Sequence, residues 1–167
     1  MIRALNHAVL YVRDAERSAR WYEEVLGFRV VSSMPGAYFI QAPDSSNDHD
    51  LGLFSLGDGA RPSPAGRGGA VGLYHLAWEV GTLSDLAAIR DRLAEAGALV
   101  GASDHGSTKS LYAHDPDGIE FEVVWLIPHE LLTESDLDAK ARIGHLDLDA
   151  EIARFGPDTV GATSVPA

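Results

Sequence analysis

The sequence predicts an α+β fold in which paired βαβββ modules form a curved mixed sheet around a cavity. The first observation behind this prediction is an internal repeat: LNHAVLYV (5–12) matches LYHLAWEV (73–80), with leucine first, histidine third and valine last. The second is that both segments are rich in β-branched and aromatic residues, as strands are. The third is that each is followed by one helical pattern and three short strand-like segments. Neither half can bury its sheet face alone, so the two are expected to pair.

The helix of each half has recognisable ends. In DAERSARWYEEVLG (14–27) the apolar residues recur at helical spacing, Asp14 suits the N-cap and Gly27 suits the end. In SDLAAIRDRLAEAG (84–97) we predict Ser84 as the N-cap and Gly97 as the terminating residue in the same way. The two helices therefore occupy equivalent places in the repeat.

Three strands are predicted after each helix, with Pro-Asp turns following the middle ones. In the first half they are FRVVSS (28–33), AYFIQAPD (37–44) and DLGLFSL (50–56), and in the second half ALVGAS (98–103), KSLYAHDPD (109–117) and IEFEVVW (119–125). The modules accordingly span about 3–57 and 71–127 of one domain, 1–128.

Two segments lie outside the modules. Residues 58–70 are dense in glycine and proline. This composition favours a linker or a flap between the modules over a core element. Residues 129–167 form a C-terminal extension with a possible helix at 132–144 and a tail, GPDTVGATSVPA, that is expected to be disordered.

Composition excludes several classes of function. The net charge of −12 and the lack of a basic run argue against a nucleic-acid surface. The absence of cysteine excludes disulfides, zinc–thiolate sites and thiol nucleophiles. Neither a signal peptide nor a stretch of membrane-spanning length is apparent, so we expect a cytoplasmic protein with no membrane partner.

Three residues predict a metal site. His7 and His75 hold equivalent positions in the repeat, and Glu122 interrupts the apolar strand FEVVW. A single strand histidine is more often a core residue than a ligand, but matched histidines with a buried carboxylate favour a cation, because an unpaired buried carboxylate costs several kcal/mol. Two imidazoles and one carboxylate form the facial triad typical of non-haem Fe(II), and Mn(II) accepts the same ligands. The cavity is therefore predicted to be a metal cavity.

At this point the sequence resembles the vicinal oxygen chelate superfamily, which includes glyoxalases, bleomycin-resistance proteins and extradiol dioxygenases. The resemblance is carried by the βαβββ repeat, the strand histidines and DPDGIEFE (115–122), over about residues 3–127. It implies a divalent metal that chelates two neighbouring oxygens of a substrate, and it leaves the reaction open.

Within the superfamily the chain looks most like single-domain type I extradiol dioxygenases, which are similar to catechol 2,3-dioxygenase. His49 precedes DLGLF as in their H-x-L-[AG]-L segment. Tyr112 lies ten residues before Glu122, and His105 lies on the loop that precedes the strand of Tyr112. The resemblance implies His49 as the acid–base, and Tyr112 and His105 as substrate-orienting groups. It also implies Fe(II), a catechol-type aromatic diol, O2 as co-substrate, and a homo-oligomer.

Alternatives remain open. A glyoxalase needs a fourth ligand, and HDLGLFSL (49–56) offers only Asp50 in place of a glutamate. A fosfomycin-type transferase shares the triad but needs basic residues near the metal, and Lys109 is the only lysine before residue 140. A metal-free binding module of the bleomycin-resistance type does not need the triad. Taken singly, His49 and His105 could be surface residues and Tyr112 a core aromatic.

Four further residues are assigned no role in the site. We expect His114, His129 and His145 to lie at the surface, and Glu120 to face away from Glu122.

Overall fold

The computed structural model describes residues 1–2, 4–61, 71–140 and 142–163. In chain order its elements are β1 (Ala8–Val12), α1 (Ala15–Leu26), β2 (Arg29–Met34), β3 (Ala37–Gln41), β4 (Leu51–Ser55), β5 (Leu76–Glu79), α2 (Leu83–Glu95), β6 (Leu99–Asp104), β7 (Thr108–His114), β8 (Glu120–Leu126), a 3-10 helix (His129–Leu131), α3 (Glu134–Ala139), β9 (Gly144–His145) and α4 (Leu148–Phe155).

The chain divides into two compact units, each with its own mixed sheet. The first unit is Met1–Pro64 with Asp115–Ile119, and the second is Ala65–His114 with Glu120–Ala167. The strand orders are β1-β4-β3-β2 and β5-β8-β7-β6-β9. In each sheet the first strand of the module runs parallel to the last, and the other pairs are antiparallel. The α+β class and the strand, helix, three-strand order of both halves are thus confirmed.

In the first unit the helix ends where the sequence predicts. The Asp14 carboxylate accepts hydrogen bonds from the backbone N–H groups of Glu16 and Arg17, and Gly27 ends α1 with a φ of 76°. The left-handed conformation at Gly27 is one that glycine adopts without the steric cost of a Cβ. Strand β1 alternates, with Leu10 buried and Tyr11 exposed, so its two sides meet different surroundings.

In the second unit the predicted N-cap is wrong. The cap of α2 is Thr82, whose hydroxyl accepts from the Asp85 N–H at 3.1 Å while the Asp85 carboxylate accepts from the Thr82 N–H at 3.0 Å. This reciprocal capping box satisfies two backbone donors at once. The helix therefore begins at Leu83, and Ser84 lies inside its first turn. The predicted terminator Gly97 has a φ of 65° and follows the helix.

The second sheet has two chemically different faces. Helix α2 contacts β6, β7 and β8. Five buried apolar side chains of β7 and β8 share one face: Leu111, Ala113, Phe121, Val123 and Trp125. Because successive strand residues point to opposite faces, Tyr112 and Glu122 lie on the other face, directly opposite each other in the β7–β8 register. The site is built on that second face.

The C-terminal extension continues the second unit. Helix α3 falls within the helix predicted at 132–144, whereas β9 and α4 are not predicted from the sequence. The backbone N–H groups of Gly161 and Ala162 donate to the carbonyls of Gly81 and Leu126. The predicted linker overlaps residues 62–70 and the predicted disordered tail overlaps residues 164–167, which lie outside the described residues. The proposed domain boundaries stay a prediction.

Helices in the described ranges are all too short or too polar to cross a membrane.

Candidate active site

The second unit brings His75 and Glu122 together. His75 lies one residue before β5, and its Nε2 is 3.1 Å from Oε2 of Glu122. Both side chains are mostly buried, at 23% and 14% exposure. Two adjacent ligands with bonds of about 2.1 Å lie about 3 Å apart when they meet at a right angle on one ion. The pair therefore fits a shared divalent metal.

The other ring nitrogen of His75 lies near a carboxylate but makes no hydrogen bond to any described residue. Within the described part of the chain, Nδ1 of His75 is buried and has no hydrogen-bond partner. A metal-bound imidazole normally donates its second N–H to a nearby carboxylate. The nitrogen and oxygen donors of this pair suit Fe(II), Mn(II) or Zn(II).

Glu120 is that nearby carboxylate, and its predicted orientation is wrong. Its Oε1 lies 3.5 Å from Nδ1 of His75, within ion-pair range although not aligned as a hydrogen bond. Side chains alternate with a period of two along a strand, so Glu120 and Glu122 share a face of β8. The other oxygen of Glu120 lies 3.7 Å from Nε2 of His114. His114 is half-buried, which corrects its assignment to the surface, whereas His129 and His145 are exposed as predicted.

Tyr112 and His105 form the second predicted group. The Tyr112 hydroxyl is 2.8 Å from Nε2 of His105, and it is also 3.5 Å from Oε1 of Glu122. Burial and the Glu122 carboxylate raise the pKa of Tyr112 to about 12, because both disfavour a phenolate. The hydroxyl thus keeps its proton at neutral pH and lies beside the carboxylate of the predicted metal ligand.

The first unit brings His7 and His49 together. His7 is exposed and lies one residue before β1, and its ring centroid is 4.5 Å from that of His49. The side chain of His49 is 15% exposed, and its Nδ1 is 3.1 Å from a carboxylate oxygen of Asp48. Its ring also meets Phe39 edge-on at 5.2 Å. The predicted acid–base is therefore a largely buried imidazole beside an aromatic ring.

The predicted residues are thus divided between the units. His7 and His49 belong to the first, and His75, His105, Tyr112 and Glu122 belong to the second. Over the ranges that the structure describes, no three His, Asp or Glu side chains form a group that could hold a metal ion. The complete ligand set stays a prediction.

Asp50 is committed to the loop before β4. Its two oxygens accept hydrogen bonds from the Ala42 N–H at 2.8 Å, the Ser45 hydroxyl at 2.8 Å and the Asn47 amide at 2.7 Å. It is 9% exposed. A carboxylate with this many protein donors is a loop-stabilising group, which agrees with the lack of a glyoxalase-type fourth ligand.

The DPDG turn sets the start of the glutamate-bearing strand. Oδ1 of Asp115 accepts from the N–H groups of Asp117 and Ile119, and Gly118 takes a φ of 81°. Asp117 accepts from Arg13 at 2.9 Å and from Arg17 at 2.7 Å. Strand β8 then begins at Glu120.

Comparison with known proteins identifies the family. The model of the Glyoxalase/Bleomycin resistance protein/Dioxygenase superfamily matches residues 4–123. The chain belongs to this superfamily, which confirms the resemblance drawn from the repeat and the DPDG segment.

Individual relatives carry different activities. Biphenyl-2,3-diol 1,2-dioxygenase 3 of Rhodococcus globerulus is 36% identical over 120 residues, which are 68% of this chain and 58% of that protein. Ethylmalonyl-CoA/methylmalonyl-CoA epimerase of Cereibacter sphaeroides is 34% identical over 112 residues, which are 60% of this chain and 75% of the epimerase. The chain therefore spans little more than half of the dioxygenase and three quarters of the epimerase.

A solved structure agrees with the fold. The glyoxylase/bleomycin resistance protein/dioxygenase domain from Frankia sp. EAN1pec superimposes with a TM-score of 0.60 at 26% identity, covering 74% of this chain and 92% of that one.

Proposed function

We propose that the protein is a metal-dependent extradiol ring-cleaving dioxygenase that acts on a catechol-type aromatic diol with O2. His75, Glu122 and His7 are its metal ligands, Fe(II) is the working ion, and Mn(II) is an acceptable substitute. The 3.1 Å approach of His75 to Glu122 carries the ligand assignment. The inclusion of His7 rests on its matched position in the repeat.

The metal supplies acidity: a bound dication lowers the pKa of a coordinated hydroxyl. Tyr112 then acts as a hydrogen-bond donor to a diol oxygen, because its pKa of about 12 keeps the phenol protonated. His105, at 2.8 Å from the Tyr112 hydroxyl, holds that hydroxyl in place. The pair orients the diol.

His49 moves the proton. Its Nδ1 lies beside the Asp48 carboxylate, so Nε2 is the nitrogen left to exchange a proton with the substrate. An imidazole can both accept and return a proton during one turnover. Both oxygen atoms of O2 enter the ring-opened product, an aldehyde-bearing muconic acid of the semialdehyde type.

Anaerobic reconstitution with Fe(II) tests this function. Metal-loaded protein is mixed with each member of a panel of catechols, and O2 uptake is recorded together with visible absorbance. We expect one O2 consumed per diol and a yellow product. The Tyr112→Phe variant serves as the comparison, with weaker turnover and unchanged metal content. O2 uptake without a visible chromophore would argue against cleavage next to the diol.

A second candidate is an O2-independent isomerisation of the kind catalysed by the epimerase relative. The observation in its favour is that the chain covers 75% of that relative but only 58% of the dioxygenase. Deuterium exchange into a substituted malonyl thioester under anaerobic conditions separates the two functions, because the dioxygenase reaction needs O2.

The transferase alternative is weakened by Lys109. This lysine is 1% exposed and lies 2.7 Å from Asp104 and 3.3 Å from Glu151. An ammonium group that is buried and neutralised in this way is unavailable to a phosphonate substrate.

A further inference from the structure

The loop that carries His105 is folded tightly on itself. It joins β6 to β7, and the His105 N–H donates to the Thr108 carbonyl at 3.0 Å. Oδ1 of Asp104 accepts from the Gly106 N–H at 2.7 Å. The backbone of this loop carries the His105 ring toward Tyr112.

Helix α3 of the C-terminal extension lies directly behind the loop. Gly106 has a φ of 76°, and a Cβ built on it would lie 2.2 Å from the backbone oxygen of Asp136 and 2.9 Å from the backbone nitrogen of Lys140. Such contacts are closer than atoms can approach, and the obstructing atoms belong to the backbone. The loop can therefore lie this close to α3 only while residue 106 is glycine.

Helix α4 holds the other side of the loop through Lys109. The Lys109 ammonium donates to Asp104 at 2.7 Å and to the Gly106 carbonyl at 3.3 Å. Oε2 of Glu151, on α4, lies 3.3 Å away in an ion pair that lacks hydrogen-bond geometry within the described residues. A buried ammonium group is stable only when it is paired, so these contacts are coupled to one another.

The two helices are also tied together. Both terminal nitrogens of Arg154 on α4 donate to the carboxylate of Asp136 on α3, at 2.8 and 2.6 Å. The ring of Phe155 packs on Trp125 of β8 with centroids 5.4 Å apart. A bidentate guanidinium–carboxylate pair fixes orientation as well as distance. Helices α3 and α4 are therefore joined to each other, and α4 also packs on the sheet that carries Tyr112 and Glu122.

We propose that the C-terminal extension, residues 129–163, holds His105 in register with Tyr112, and that Gly106 and Lys109 are the positioning residues through which it acts. The proposal deepens the proposed function, because it matters for turnover only if His105 and Tyr112 orient the diol. The positioning itself is a property of the metal-free protein and can be tested without activity.

The test measures the ring nitrogens of His105 by NMR in the metal-free protein. Tyr112→Phe removes the hydrogen bond directly and supplies the reference spectrum for an unbonded ring. Gly106→Ala drives the loop away from α3, and we expect its His105 signals to move to those of Tyr112→Phe. Gly97→Ala is the matched control, since Gly97 also has a positive φ but no atom within 4 Å of a built Cβ. Its His105 signals are expected to match the wild type.

Glu151→Gln is the second variant, chosen because it keeps the size of the side chain and lies at the edge of the buried network. We expect its His105 signals to shift in the same direction as those of Gly106→Ala, by a smaller amount. Wild-type signals in a folded Gly106→Ala protein would overturn the proposal. If Gly106→Ala does not fold, wild-type signals in Glu151→Gln would overturn it equally. If the variants shift the His105 signals as expected but the wild-type protein shows no dioxygenase activity, the result would count against the proposed function alone.

Discussion

The imidazole of His75 lies between two carboxylates of one strand, with Nε2 at 3.1 Å from Glu122 and Nδ1 at 3.5 Å from Glu120. The two glutamates are on the same face of β8 but meet different nitrogens of the ring. Under the proposed function the two glutamates have different roles: Glu122 is a metal ligand, and Glu120 is the outer carboxylate nearest the second nitrogen of the ring.

Glu122→Gln is expected to weaken metal binding more than any change outside the ligands. The substitution removes a charged metal ligand, so the affinity for Mn(II) should fall by more than about 100-fold. A loss of about 100-fold is the largest expected when the mutated carboxylate only hydrogen-bonds a metal ligand. Isothermal titration calorimetry under anaerobic conditions measures it. Glu130→Gln, at an exposed glutamate, is the control and should bind as the wild type does.

Glu120→Gln is expected to weaken Mn(II) binding by about 10- to 100-fold, because an outer carboxylate only orients its histidine. The same titration gives the affinity, and circular dichroism checks the fold. If this variant lost the metal entirely while Glu122→Gln retained it, the two assignments would have to be exchanged.

His49→Gln should retain the metal but turn over slowly. Loss of a positioned acid–base lowers kcat by about 100- to 10,000-fold, and stopped-flow absorbance with a cleaved diol gives that value. His129→Gln changes an exposed histidine and should leave kcat unaltered. A metal-free His49→Gln protein would make His49 a ligand, contrary to our assignment.

Asp136→Asn should remove a pH dependence of stability. Hydrogen bonds from Arg154 hold the pKa of Asp136 well below its ordinary value of 3.8. A depressed pKa contributes stability that is present above the ordinary value and is lost as the pH falls below it. At neutral pH the variant should be less stable by about 1 kcal/mol, and urea unfolding at decreasing pH should show the difference closing. Asp138→Asn, at an exposed position of the same helix, should parallel the wild type.

The element order was predictable because the repeat and its patterns are local. Asp14 and Gly27 have the residue types that helix ends require, and both were placed correctly. Ser84 was misplaced because two candidate caps stood two residues apart, and the reciprocal Thr82–Asp85 bonds decide between them. Pattern alone does not rank competing caps.

The site was predicted less completely than the fold. His75 with Glu122, and His105 with Tyr112, were found as pairs, since their strands and spacing are visible in the sequence. The orientation of Glu120 was predicted wrongly, although the two-residue period of a strand places it on the same face as Glu122. Helix α4 and its contact with Lys109 could not be foreseen, since a buried lysine has no local signature and its partners lie far along the chain.

The parallel pairing of β1 with β4 joins Ala8 to Leu51, and that of β5 with β8 joins Leu76 to Phe121. Each of these strand pairings must close a long loop of chain, and the entropic cost of that closure comes before the stabilising contacts form. During synthesis, His7 and His75 therefore leave the ribosome well before β4 and β8, the strands that pair with β1 and β5. A metal ion that meets the growing chain at that stage finds no preformed binding site. The proposed metal site can therefore form only after the parallel strands of the sheets have paired.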